Sequence, residues 1–492
     1  MSQVSTSAGT LDGTEIDGGI HAFLGVPYAA PPVGELRFRP PQPVEPWQGA
    51  RPATALAPSC PQPTERPPGW PQEHAVDEDC LYLNVWTPGT DDRRRPVMVW
   101  IHGGGYGIGS GSWPLYDGAN LARRGDVVVL SVNHRLGPFG YLHLDGLVGP
   151  RLDGAEAASS GNNGMLDLVA VLRWVRDEIA AFGGDAGNVT IMGESGGGAK
   201  VSTLLAMPSA HGLFHRAIIQ SGPGLRVTKP ERATKNAEGV LRSLGADEDV
   251  ERLWSASADE ILAASSAAGR MGLSPVLDGV AIPDHPVQAL TTGTAADVPL
   301  IVGCNRDEGA GGLPRELDDD GLRQRLAQMA DTDDADLVER MVATYRQEHP
   351  DATLVDLLSF AITDQRMRAG SIQLAEATTK GSSSGVWQYF FTYELGGRAG
   401  HGYEIAFCLD NLGVGGTPPS EGRQRLADEM SEAWLAFART GDPYHDGMVG
   451  WPPFTVPDRE TMIFGPTSEV VDDPSRATRE LWEEVAAARR RR

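Results

Sequence analysis

The chain has 492 residues, of which 40% are hydrophobic and 22% charged, so it can fill a large core and is not globally disordered. Its 42 Lys and Arg against 66 Asp and Glu give a formal charge of −24, which argues against nucleic acid and other polyanions as partners, because phosphate binding needs concentrated positive charge. Four cysteines with no C-x-x-C pair are too few for a disulfide scaffold and argue against structural zinc, and no metal is expected.

Glycine, at 60 residues, and proline, at 36, are both abundant, as expected of long irregular connections around a regular core. Residues 1–13 are polar, without a basic-then-apolar leader pattern, and no stretch approaches the ~18 apolar residues of a membrane span. The expectation is a cytoplasmic chain with no membrane partner. From Pro27 to Pro71, prolines recur among Tyr28, Phe38 and Trp47, which reads as extended chain wrapped over a core. Val97-Met98-Val99-Trp100-Ile101 is an uninterrupted apolar run, the pattern of a strand buried on both faces, and 127–132 is a second. Met165, Leu168, Leu172, Val175, Ile179 and Phe182 step by three or four residues, a helical stripe opened by Asn162 and Asn163 and stopped at Gly183-Gly184.

Residues 189–192, 217–219, 300–302 and 386–393 supply further strand signals. Strands interleaved with helices predict a mostly parallel sheet covered by helices on both faces, an α/β class. Residues 228–270 and 311–385 are helix-rich and acidic, and read as insertions over the sheet edge that form a lid or pocket walls. The result is a single α/β domain over 1–492, although such a length would suit about three domains of ~150 residues. Arg489 to Arg492 reads as a solvated tail that extends the last helix.

Gly193-Glu194-Ser195-Gly196-Gly197 follows the 189–192 strand and precedes a helical stretch. A serine hydroxyl is a poor nucleophile unless it is exposed beside a base. A cramped strand-to-helix turn exposes it, flanking glycines relieve the crowding, and the helix N-terminus adds amide donors. His102-Gly103-Gly104-Gly105-Tyr106 ends the 97–101 strand in a similar way. Its glycines can turn N–H groups toward a substrate oxygen that becomes negative, each worth roughly 3–4 kcal/mol of barrier in such sites. His102 is expected to brace this loop rather than act as a base.

If the chain order is Ser…acid…His, a base lies downstream of Ser195 with an acid between. His211 and His215 follow the nucleophile helix too closely, His349 sits in an acidic helical insert, and His445 lies in a turn. His401 lies in a glycine-rich loop just after the aromatic 386–393 run, where a sheet presents catalytic groups. Asp307-Glu308-Gly309, at the end of the 300–302 strand, offers the acid, with Asp278 as a competitor that reads better as a turn former.

These phrases resemble the type-B carboxylesterases of the cholinesterase/carboxylesterase family in the α/β-hydrolase superfamily, and their bacterial para-nitrobenzyl-esterase-like members in particular. Also similar are the segment from Phe23 to Pro32, Glu78-Asp79-Cys80-Leu81-Tyr82-Leu83-Asn84, the stretch Ser131 to Gly140, and Phe182-Gly183-Gly184-Asp185, so that nearly the whole chain is covered. The resemblance implies an α/β-hydrolase fold and a triad of Ser195, Glu308 and His401. It also implies an oxyanion hole from the N–H groups of Gly104, Gly105 and Gly196. Gly196 stands where the family usually has alanine, which keeps the donor but loosens the turn. Glu194 resembles a buried family glutamate that polarises the site, and many relatives link cysteines matching Cys60 and Cys80, a pairing that a reducing cytoplasm works against.

The expected reaction is two-step hydrolysis of short to medium carboxylic esters through an acyl-enzyme, with a small-molecule ester as partner and no cofactor. Pocket walls are expected from residues 60–80 with Trp70, from the chain after Tyr106 and from the insertions, with Leu273 and Phe360 as candidates for the acyl side. The same chemistry would cleave amides, carbamates or lactones. A non-catalytic interaction scaffold is the remaining alternative, disfavoured because all the triad positions are filled.

Overall fold

The computed structural model describes residues 2–64, 75–269, 272–414 and 416–491. Among these, thirteen strands form one sheet. Its antiparallel flank is built from β1 (Ser2–Thr6), β2 (Gly9–Ile16), β3 (Ile20–Pro27) and β5 (Tyr82–Thr87), with the short β4 (Ala50–Pro52) pairing β2 in parallel. The parallel part comprises β6 (Arg95–Ile101), β7 (Val128–Val132), β8 (Gly184–Glu194), β9 (Arg216–Gln220), β10 (Leu300–Asn305), β11 (Val386–Phe391) and β12 (Glu460–Phe464). An antiparallel β13 (Glu469–Asp472) closes the far edge. The spatial order is β1-β2-β3-β5-β7-β6-β8-β9-β10-β11-β12-β13.

The apolar runs are explained by two cores, one on each face. Over residues 97–101 of β6, Val97, Val99 and Ile101 enter one core while Met98 and Trp100 enter the other, so no position in that run is left for a polar residue. The first core takes Met165, Leu168, Leu172 and Val175 from the helix Asn163–Glu178 and Val201 and Leu204 from the helix Gly196–Leu204. The second takes Leu426, Met430, Trp434 and Phe437 from the long helix Glu421–Thr440.

The helical stripe from Met165 is present, ending in a 3-10 turn and a left-handed Gly183. Its opening differs from expectation. Asn162 does not cap the helix; its side chain bonds the Val276 backbone and Asp278, and Asn163 donates to the Phe38 carbonyl, so both asparagines tether neighbouring segments.

The two inserted regions divide differently in space. Helices Pro230–Leu244, Glu251–Ser255 and Ala258–Ala267 fill 228–270. They are tied down by Arg37, whose guanidinium pairs with Glu78 and donates to the carbonyls of Leu253, Trp254 and Ala256. Within 311–385, the helices Asp319–Ala330, Ala335–Glu348 and Leu354–Thr363 form a third core with Leu481, Trp482 and Val485 of the last helix, Arg476–Arg491. The helix Ala369–Gly381 instead packs Leu374 and Ala375 onto the main sheet as the β10-to-β11 crossover. Arg489 is not simply a solvated tail: it donates to the carbonyls of Met329 and Ala330, and Arg492 lies outside the described residues. No helix of the described residues is long and apolar enough to cross a membrane.

The chain leaves β6 for β7 on one side and returns to β8 on the other. The crevice beyond the carboxyl ends of β6 and β8 is therefore a topological switch point, where parallel sheets leave room for ligands.

Candidate active site

Ser195 terminates β8 at that crevice with φ 56° and ψ −120°, a backbone region a non-glycine residue occupies only when its surroundings impose it. Its N–H donates to the Gln220 carbonyl on β9 at 2.8 Å, and its own carbonyl accepts from Ala199 at 3.0 Å as the helix Gly196–Leu204 begins. The strand below and the helix above thus hold the turn, and the side chain sits half-buried at its apex.

The glycine loop leaves β6 alongside. A side chain at Gly103 would come within 3.4 Å of the Ser195 Cβ and 2.9 Å of Glu194 Oε2, so the loop lies directly against the serine turn. Gly104 and Gly105 have φ of 92° and 61°, which only glycine adopts readily. His102 is buried, pairs Nδ1 with the Gly103 carbonyl at 2.8 Å and stacks on His134 with centroids 4.7 Å apart. Burial, reinforced by the charge of Lys200, pushes its pKa down to about 3. It is a neutral brace, as its position suggested.

Across the crevice, the loops after β10 and β11 are joined. Asn305 donates to the Gly400 carbonyl at 2.7 Å, and Asp307 accepts from the Ala399 N–H at 2.8 Å. Asp307 also pairs with Arg306 and Arg398, so its carboxylate is consumed in holding the loop. Glu308 is the acid that reaches the histidine: its Oε2 contacts His401 Nδ1, while its Oε1 accepts from the Asn305 N–H at 2.7 Å. His401 Nε2 faces Glu194 Oε1 at 3.2 Å, which puts that ring edge beside the serine turn.

The electrostatics are those of a histidine between carboxylates. Burial disfavours the charged ring, but Glu194 and Glu308 outweigh it and raise His401 well above its ordinary 6.5. Burial pushes Glu194 up to about 8, and Glu404, behind the site, up to about 7 through burial and the nearby Glu308. Glu404 accepts from Asn305 at 2.5 Å and faces Gln220 and Ser221, so it links the β9 and β10 ends.

The structure brings Ser195, Glu308, His401, Glu194, Gly104, Gly105 and Gly196 to one crevice. The competing candidates are engaged elsewhere. Asp278 accepts from the Val280 and Ile282 N–H groups as a turn former. His215 accepts from Val189, and His445 contacts the Glu429 carbonyl. A cavity of about 470 Å³ opens beside the glycine loop, lined by Gly104, Tyr106, Ile108, Pro138, Leu262 and Leu273. Phe360 does not line it, because its ring packs against His349 and beneath Arg306. Trp70 lies outside the described residues.

Sequence reasoning missed Glu404 and the fully buried Lys200. Glu404 stands in the His401-Gly402-Tyr403-Glu404 phrase, and Lys200 is a lone cation in an otherwise small and apolar helix start, so a signal existed for each. All four cysteines are buried free thiols; a hydrogen bond with Cys60 and burial push Cys80 up. No group of three or more His, Cys, Asp or Glu among the described residues could hold a metal ion.

Comparison with known proteins bears on this arrangement. A family model described as "Carboxylesterase family" matches residues 1–482. The para-nitrobenzyl esterase of Bacillus subtilis (strain 168) is 36% identical over 97% of this chain and 97% of its own length. The phenmedipham hydrolase of Pseudarthrobacter oxydans is 35% identical over 96% of this chain and 97% of its own. Among solved structures, the Geobacillus stearothermophilus carboxylesterase EST55 at pH 6.2 superposes with a TM-score of 0.87 at 38% identity, covering 98% of this chain and 100% of that one.

Proposed function

Because the chain belongs to the carboxylesterase family and is a serine carboxylic-ester hydrolase of α/β-hydrolase fold, we propose that Ser195 is its nucleophile, His401 its general base and Glu308 the acid that orients the imidazole. The observation that supports this reading most is the Glu308 contact on His401 Nδ1 while Nε2 faces the serine turn. With Nδ1 committed to the carboxylate, Nε2 is the nitrogen available to the serine hydroxyl.

Ser195 attacks the ester carbonyl and passes its proton to His401, while the N–H groups of Gly104, Gly105 and Gly196 hold the oxyanion. The imidazolium is steadied by Glu308 and returns the proton to the departing alcohol. Water then repeats the sequence on the acyl-enzyme and frees the acid. Glu194 adds negative charge beside the imidazolium when it is ionised.

The cavity beside the glycine loop, with Tyr106, Ile108, Leu262 and Leu273 on its wall, favours acyl groups of short to medium length. We read 1–492 as a single domain, with the 228–270 insertion as pocket wall, and place the protein in the cytoplasm, which suits its free thiols. A chain-length series of p-nitrophenyl esters, run beside Ser195→Ala, tests the reading. Turnover should peak at short to medium acyl chains and fall by roughly 10⁴-fold or more in the variant. Retained turnover in Ser195→Ala would remove the assignment.

A further inference from the structure

Lys200 is fully buried on the helix Gly196–Leu204, directly behind the serine turn. A buried ammonium is costly unless its protons are matched, so what it contacts explains why it is there. Its Nζ donates to the Gly105 carbonyl at 2.7 Å and to the His102 carbonyl at 3.3 Å, and lies 5.4 Å from the Tyr106 ring centroid. Those two carbonyls bracket Gly103, Gly104 and Gly105. Because peptide units are planar, fixing both carbonyls fixes the peptide planes at the two ends of the glycine stretch. Three consecutive glycines are otherwise the most mobile backbone available.

A second contact completes the arrangement. A Cβ built on Gly196 would fall 2.2 Å from the Gly105 carbonyl oxygen, 2.4 Å from its nitrogen and 2.5 Å from its Cα. These are backbone atoms, so the glycine loop itself would have to move to admit a methyl group. The carbonyl that excludes the methyl is the one that Lys200 holds.

We propose that Lys200 is a positioning residue for the oxyanion hole, clamping the glycine loop against the serine turn, and that Gly196 is its matched partner, leaving the space into which Lys200 draws the Gly105 carbonyl. The proposal rests on the reading of Gly104, Gly105 and Gly196 as oxyanion donors. Burial pushes Lys200 down to about 7, against the opposing charge of Glu194, yet an amine retains two donors, so both carbonyl contacts persist in either form.

The test compares Lys200→Met, Lys200→Gln, Gly196→Ala and the Gly196→Ala/Lys200→Met double variant. For each, kcat and KM are measured on p-nitrophenyl butyrate, together with the inhibition constant of a trifluoromethyl ketone, whose serine adduct places an oxyanion in the hole, and the thermal midpoint. Lys200→Met should lower kcat roughly 10- to 100-fold with KM changed less than about twofold, and ketone affinity should fall in step with kcat. Lys200→Gln, which keeps a donor, should recover most of that loss. Gly196→Ala should also lower kcat, and the double variant should lose less than the product of the single losses, because the released loop can then move away from the methyl. Wild-type kcat in Lys200→Met or in Gly196→Ala, unchanged ketone affinity, or strictly multiplicative losses would overturn the proposal. Should Lys200→Met not fold, Lys200→Gln and Gly196→Ala decide it by the same readouts. Ser195→Ala in the same assay separates the two levels: its retained turnover would remove the active-site reading itself, whereas its inactivity beside an unaffected Lys200→Met would remove only this inference.

Discussion

At the scale of single residues, the site turns on a histidine held between Glu308 and Glu194. A negative neighbour favours the imidazolium, so each carboxylate raises the pKa, whereas the base must be neutral to accept the serine proton. The acid limb of kcat/KM should therefore lie above the ordinary histidine value of 6.5. Glu194→Gln removes one negative neighbour and should move that limb to lower pH by roughly one unit. A pH profile of kcat/KM checks this; a limb that stays in place or moves upward would contradict it. The phrases around Ser195 and His401 stood out in the sequence because each follows an apolar run, and Glu308 stood out through the family resemblance. Lys200 and Glu404 were not, because what marks them is the burial of a charge, and burial depends on segments far away in the chain. The motif phrase alone left Asp307 and Glu308 open and the resemblance pointed to Glu308; in space Arg306, Arg398 and the Ala399 N–H take up the Asp307 carboxylate.

At the scale of elements, legibility followed burial on both faces. β6 to β11 each carry a largely apolar run, because helices cover both sides of the sheet there. The flanking β1 to β3, β12 and the edge strand β13 carry mixed patterns and were not read as strands. The helix Glu421–Thr440 was missed although Leu426, Met430, Trp434 and Phe437 recur at helical spacing. The loop after β7 shows what joins the elements: Arg135 pairs bidentately with Asp167 of the helix Asn163–Glu178, at 2.6 and 2.9 Å, and donates to the Arg39 carbonyl at 2.6 Å. Both side chains are almost wholly buried. Asp167→Ala leaves the Arg135 charge buried without its counter-ion and should cost about 3–5 kcal/mol. Urea unfolding measures this; an unchanged midpoint would mean that the pair does not hold the β7 exit loop to the helix.

At the scale of the whole molecule, a length that would suit several domains is drawn into one thirteen-stranded sheet among the described residues. The insertions were visible as acidic, helix-rich stretches, but not their destinations. Residues 258–267 reach the cavity beside the glycine loop, whereas 319–363 pack with the C-terminal helix, contacts that local composition does not encode. The crossing of the chain between β6 and β8 brings residues 102–105 and Ser195 to one crevice, and β10 and β11 deliver Glu308 and His401 to the same end. One serine among all those in the chain should therefore be activated. Intact-mass analysis after treatment with a fluorophosphonate tests this most directly. We predict a single phosphonyl adduct per chain, located on Ser195 by peptide mapping and lost in Ser195→Ala together with ester hydrolysis. An unlabelled chain that still hydrolyses esters, or an adduct that persists in Ser195→Ala, would contradict the account.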